Sequence, residues 1–307
     1  MPPGARPDIQ SFLDYLKYEK RYSHHTIISY ETDLRDFDNY IHNQYGDTKL
    51  KEINHGFIRG WLAGLKGNGL TSKSINRKIS TLRSFFKYLL RTGKLEISPM
   101  ANVMAPKNAK RLPVYIKEQE TKELMRALSG ATEDWKTLNA KMLIILFYNT
   151  GMRLSELINL REKQLDFGRF QIKVLGKGNK ERIIPVSKGL VKSIDDYRQL
   201  KKKEFVGKDS FGEKTGETLL VTEKGKKLYP KYAYLLVRQY LGEAGTLDKK
   251  SPHVLRHTFA THLMNGGADL NAVKELLGHS SLASTQIYTH NSIEKLKNVY
   301  KKAHPKA

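Results

Sequence analysis

Residues 251–290 read SPHVLRHTFATHLMNGGADLNAVKELLGHSSLASTQIYTH. Ser251 stands where a helix N-cap is expected, Pro252 suits the first helical position because its missing N–H is not needed there, and Asn265-Gly266-Gly267 ends the helix. Leu255, Phe259 and Leu263 recur every four residues and form its buried stripe. Arg256 lies at the edge of that stripe and His253 further round, so both can face a cleft from a rigid support. An anion is favoured near the start of such a helix, because unpaired backbone N–H groups and the positive end of the macrodipole point outward. A second helix over 270–277 stops at Gly278, which puts His279 just past its end, and Ser281 can cap a further turn carrying Ile287 and Tyr288.

The rest of the chain says which anion to expect. Its 307 residues carry 54 Lys and Arg against 31 Asp and Glu, a formal charge of +23. So basic a balance calls for a polyanionic partner, most simply nucleic acid, with an anionic membrane surface as the weaker alternative. Basic residues occur all along the chain, so the folded body itself should be the binding surface. The length suits two domains, and a hydrophobic fraction of 39% suits a folded soluble protein. Without cysteine there is no disulfide framework, no Cys-based zinc site and no thiol nucleophile. The first residues, MPPGARPDIQ, lack the apolar core of a signal peptide, and no apolar run is long enough to span a bilayer. The expected compartment is the cytoplasm, close to the nucleoid, with no membrane partner.

Upstream, residues 1–7 read as a disordered leader and 8–105 as an all-helical domain. Four amphipathic helices centre on Phe12–Leu16, Ile27–Ile41, Phe57–Leu65 and residues 72–92. The last turns Ile75, Ile79, Leu82, Phe86 and Leu89 inward, leaving Lys73, Arg77, Lys78 and Arg83 as candidate phosphate contacts. Any one of them alone is more simply a solvated surface charge. Pro106 and Pro113 bracket a basic linker over 106–116, which adds Lys110 and Arg111 to those candidates.

Residues 117–307 read as an α+β domain. Helices are expected over 118–128, 140–150, 155–160 and 231–242, and a short strand over 219–222. Gly151 permits a sharp turn that projects Arg153 from a new helix start, where the plain expectation is a salt bridge with Glu156. Strands over 170–175 and 182–186 flank GKGNKE, whose Lys177 sits on a hairpin tip; the spacing is not that of a phosphate-binding P-loop. Residues 201–217 read as a charged loop, and 293–302 as an amphipathic terminal helix. His253 and His257 are four apart, but Val254 stands where a zinc protease needs Glu, so no metal is expected and His257 and His262 read as packing residues.

Arg153 in TGMRLSEL, Lys177 in GKGNKER, His253 and Arg256 in HVLRHTFATHL, His279 in LLGHSS and Tyr288 in STQIYTH together resemble the tyrosine site-specific recombinases of the phage-integrase family. The likeness is nearest to the Xer chromosome-dimer-resolution branch and runs from Phe12 to Pro305. It implies a mainly α fold with a small antiparallel β-sheet: a helical DNA-clamping domain and an α+β catalytic domain of the DNA breaking-rejoining type, ending in an exchange helix. It also implies roles. Tyr288 would attack the scissile phosphate to give a 3′-phosphotyrosyl link, Arg153 and Arg256 would hold the non-bridging oxygens, and Lys177 would protonate the leaving 5′-oxygen. His253 and His279 would donate hydrogen bonds and move protons, His253 being the candidate acceptor of the tyrosine proton. No cofactor, metal or nucleotide is implied. The implied partners are duplex DNA with a specific recombination site, a homo- or heterotetramer with a second tyrosine recombinase, and a cell-division DNA translocase. The implied task is resolving chromosome dimers at a dif-like site. A transposon or phage integrase of the same fold, and a catalytically silent architectural DNA-binding protein, remain alternative readings.

Overall fold

The computed structural model describes residues 6–107, 114–129, 134–176, 181–205, 217–243, 250–278, 300 and 303. It divides into two compact units, Met1–Arg111 and Leu112–Ala307, and the division falls inside the basic stretch read as a linker.

In the first unit, α1 (Pro7–Asp14) runs into a π-helical turn at Tyr15–Glu19. It is followed by α2 (His24–Tyr45), α3 (His55–Gly67) and α4 (Ser72–Arg91). Ser23, Asn54 and Thr71 cap the last three, each side chain accepting a first-turn N–H that no helix bond can satisfy. The four expected helices are all present. Their apolar faces meet in one core around Phe12, Leu34, Phe37, Ile58, Trp61, Leu82, Phe86 and Leu89. The α4 stripe also takes in Lys78, Thr81 and Phe85, and the first of these carries a charge. Lys78 is only 5% exposed; its ammonium donates to Asp33 at 2.9 Å and Asp36 at 2.7 Å. The expectation of a surface cation at Lys78 is therefore corrected: Asp33 is fully buried on α2, and a buried carboxylate demands cations beside it.

The second unit is built around α6 (Trp135–Thr150), buried on nearly every side and packed against the helices named next. These are α8 (Lys188–Phe205), α9 (Pro230–Glu243) and α10 (Pro252–Asn265). α5 (Glu118–Ser129), α7 (Leu154–Ile158) and α11 (Leu270–Leu277) complete the described helices. A three-stranded antiparallel sheet of β1 (Leu165–Asp166), β2 (Gln171–Leu175) and β3 (Glu181–Pro185) runs in sequence order, with Ile172 opposite Ile184. The chain leaving the linker is tied to α10: the Ile116 N–H donates to Thr258 Oγ1 at 2.9 Å, and His262 bonds the Ile116 carbonyl at 2.9 Å.

Two segments differ from their sequence reading. The charged stretch from 201 continues α8 through Phe205, because Lys201 is 1% exposed and donates to Glu162 at 2.5 Å and the Thr218 carbonyl at 2.6 Å. In place of a strand near 219–222 there are two isolated bridges, Arg161 with Thr218 and Val221 with Lys227. Of the terminal helix only Tyr300 and Ala303 lie among the described residues; both are buried with Phe259, Leu263, Val273 and Leu276 of their own chain. Among the described residues no helix is long and apolar enough to cross a membrane.

Candidate active site

α6 ends at Gly151, whose φ of +58° is the left-handed conformation that glycine adopts without penalty. A Cβ there would lie 2.4 Å from Cδ1 of Phe259. The turn therefore needs glycine twice, once for its backbone and once to let α10 approach. It delivers Arg153 to the start of α7, where its N–H donates to Glu156 Oε2 at 2.7 Å and its guanidinium to Glu156 Oε1 at 2.8 Å. The salt bridge expected of a helix-start arginine is thus present, but it uses only part of the side chain.

The remaining bonds converge on one place, the C-terminal end of α11. The last carbonyls of a helix have no intrahelical partner and carry the negative end of its dipole, so they attract cations. Three consecutive carbonyls each take a different arginine. The Leu276 carbonyl accepts from Arg182 Nε at 2.8 Å, that of Leu277 from Arg256 Nη2 at 2.7 Å, and that of Gly278 from Arg153 Nη2 at 2.7 Å. Arg256 also donates to the Gly151 carbonyl at 2.5 Å. Gly278 holds φ +63°, and a Cβ on it would stand 3.1 Å from Arg182 Nη1. Residues from α7, β3 and α10 are in this way gathered by two glycine turns and one helix end.

The electrostatics follow from this crowding. Burial pushes the Arg256 guanidinium down to about 10, and the charges of Arg153 and Arg182 push the same way, partly offset by Glu156. It stays charged at neutral pH, but at a cost that an incoming anion would relieve. Burial would raise the Glu156 carboxyl; the hydrogen bonds and charge of Arg182, with the hydrogen bonds of Arg153, overturn that and hold it at about 2. Among the described residues one carboxylate thus faces three guanidiniums. Arg153 and Arg256 remain only half buried, and each guanidinium has five N–H donors, more than these bonds use. Beside Arg153 a cleft of about 900 Å³ is lined by Ser155, Asn159, Lys163, Lys173 and Gly176.

His253 is exposed on the first turn of α10, on the same face as Arg256 three residues on. Ser251 holds the N-cap position, but its side chain makes no capping bond. His262 is buried and bonds the Ile116 carbonyl through Nε2; a carbonyl can only accept, so Nε2 carries the proton and Nδ1 accepts from the Tyr148 hydroxyl at 3.1 Å. Burial lowers its pKa, which suits a neutral structural imidazole.

Lys177, His279 and Tyr288 lie outside the described residues, as do Lys110 and Arg111. Of the remaining candidate phosphate contacts, Lys73 is exposed, and Arg77 is half exposed while bonded to Asp33 at 2.7 Å. Arg83 is exposed and donates to the Val103 carbonyl at 2.8 Å. The structure adds Arg182 to the pocket, and it turns Glu156 from a lone salt-bridge partner into the shared anchor of two arginines. The sequence did carry a signal for Arg182. It alternates with Ile184 along β3 and with Val186 just past the strand's end, and a charge on the buried face of a strand needs a buried partner.

Comparison with known proteins accounts for both units. The model for the phage integrase family matches residues 115–295, and that for the phage integrase N-terminal SAM-like domain matches 9–93. Tyrosine recombinase XerC of Chlorobaculum parvum is 34% identical over 97% of this chain and 94% of its own length. Tyrosine recombinase XerC of Bacillus licheniformis is 39% identical over 96% of this chain and 95% of its own. The solved structure of the Tn1549 transposon integrase in complex with transposon right end DNA shares the fold, with a TM-score of 0.74 at 20% identity, covering 94% of this chain and 97% of that one. The pocket of arginines thus sits in a chain matched along both units, and the chain belongs to the phage integrase family, the tyrosine recombinases.

Proposed function

We propose that this recombinase cuts and rejoins duplex DNA at a specific site, with Tyr288 as nucleophile and Arg153 and Arg256 as the clamp on the scissile phosphate. The observation that carries the reading is the excess of guanidinium charge fixed on the end of α11. A phosphodiester must accept further negative charge as a nucleophile adds, so cations fixed in advance around its non-bridging oxygens lower the barrier. A guanidinium suits this because it donates two parallel hydrogen bonds. The tyrosine hydroxyl, with an ordinary pKa of about 10, is protonated at neutral pH and needs both a cationic pocket and a proton acceptor. His253, on the exposed face of α10 beside Arg256, is assigned that acceptance, His279 a further hydrogen bond, and Lys177 protonation of the leaving 5′-oxygen. The covalent link stores the bond energy, and a second 5′-hydroxyl releases it, so no cofactor is consumed.

The biological task proposed is resolution of chromosome dimers at a dif-like site, supported by relatives at 34% and 39% identity that are both named XerC. The working assembly is a tetramer on two sites, with a second recombinase and a cell-division DNA translocase as partners. Exchange of the terminal helix would require Tyr300 and Ala303 to leave their own hydrophobic cluster, or a neighbour's equivalents to replace them. Lys73, Arg77, Arg83, Lys110 and Arg111 are assigned to the DNA backbone; Lys78 is not.

A nicked suicide duplex carrying the recombination site tests the chemistry. Wild-type protein is expected to form a denaturation-resistant adduct, and Tyr288→Phe to bind the duplex with none. An adduct in the Tyr288→Phe protein would remove Tyr288 from its role.

A further inference from the structure

We propose that Arg182 is a positioning residue for strand cleavage: buried and out of reach of any phosphate, it fixes Arg153 through Glu156 and the end of α11 through the Leu276 carbonyl. This rests on the reading of Arg153 and Arg256 as the phosphate clamp.

The geometry is specific to an arginine. Arg182 is 4% exposed. Nη1 and Nη2 take the two oxygens of Glu156 at 2.9 and 2.8 Å, while Nε reaches the Leu276 carbonyl at 2.8 Å. A guanidinium does this in one plane; a lysine ammonium is a point donor on a flexible stem and cannot span a carboxylate and a carbonyl at once. One of its partners holds a clamp residue directly, and the other adjoins the carbonyls that hold both. Glu156 also accepts from Arg153, and the Leu276 carbonyl is followed by the Leu277 and Gly278 carbonyls that hold Arg256 and Arg153.

Charge gives Arg182 a second role. With it in place, Glu156 is neutralised from the buried side, and Arg153 keeps part of its charge for a ligand. Without it, Arg153 becomes the only guanidinium hydrogen-bonded to a buried carboxylate among the described residues. Such a carboxylate draws the guanidinium inward and cancels it. Arg182 thus keeps Glu156 as an anchor for Arg153 and prevents it from becoming a sink for its charge.

The test is single-turnover cleavage of the nicked suicide duplex at saturating protein, read alongside duplex affinity and the thermal midpoint. Arg182→Lys should slow cleavage by about 10²-fold, the scale on which a small misplacement of a clamp costs rate, with duplex affinity held and the protein still folded at the assay temperature. Because Arg182 acts through Arg153, adding Arg182→Lys to Arg153→Lys should cost far less than the product of the two single effects. Wild-type cleavage by folded Arg182→Lys protein, a loss that merely tracks affinity or midpoint, or fully multiplicative effects would each overturn the proposal. Should Arg182→Lys not fold, Glu156→Gln combined with Arg182→Met replaces the ion pair by uncharged groups: folded and slow supports the role, folded and fast overturns it. The Tyr288→Phe protein separates the two levels. If it still forms the adduct, or the wild type forms none, the proposed function fails and this role with it; if it behaves as expected while Arg182→Lys cleaves normally, only the positioning role fails.

Discussion

Each unit contains a buried knot of charge, and the two are built on opposite balances. On α2 and α4, Asp33 accepts from Arg77 at 2.7 Å, Lys78 at 2.9 Å and Thr81 at 2.9 Å, and Lys78 also reaches Asp36. Two cations meet two carboxylates, so the knot is neutral and its bonds are made between helices. Around α11, among the described residues, three guanidiniums meet one carboxylate, and the other bonds go to backbone carbonyls, which orient a cation without cancelling it. Basic residues in a basic protein are therefore not equivalent. A neutral knot holds helices together, whereas an uncompensated cluster held by dipoles is prepared for an anion.

The contrast can be broken from either side. The largest effect is expected at the neutral knot, in stability. Asp33→Ala leaves Lys78 buried without its main partner, and loss of one member of a buried pair typically costs about 3–5 kcal/mol. Denaturant unfolding should show that loss, and a change near zero would mean the knot is not holding the helices. At the other cluster the corresponding experiment is a titration with acid. The Glu156 carboxyl is held at about 2, below its ordinary 4.5, so its stabilisation is fully present above pH 4.5 and disappears as pH falls through 2. That contribution is on the order of 3 kcal/mol. In Glu156→Gln protein the acid limb of the thermal midpoint against pH should flatten over this window, and an unchanged limb would mean that the carboxylate carries no such linkage.

Much of this was legible in the chain. The stripe Leu255, Phe259, Leu263 is fully buried as its period requires, and α11 ends at Gly278 as glycine at that place demands. The hairpin strands fall within one residue of their expected bounds. What sequence reasoning missed was mostly a charge in the wrong place. Lys78 lies three residues past Ile75 and four before Leu82, on the buried face of α4, and Lys201 opens a stretch whose density of charge hid an inward-pointing side chain. Helical spacing puts both positions on a buried face, Lys201 following Leu190, Ile194 and Tyr197, but residue type suggested solvent; only the distant partners, Asp33 and Glu162, resolve the conflict. The role of the α11 carbonyls could not be read at all, since backbone atoms leave no mark in a sequence and their partners come from three distant segments.

The central contrast is tested most directly by measuring single-turnover cleavage of the suicide duplex, at saturating protein, for one arginine from each knot. Arg256→Ala is expected to lose about 10²–10³ in rate, the usual cost of removing one fixed donor from a developing charge. Arg77→Ala is expected to cleave like the wild type once bound, with any effect confined to duplex affinity and its salt dependence. Equal losses from the two substitutions, or normal cleavage by Arg256→Ala protein, would contradict the distinction between a neutral knot and a phosphate clamp.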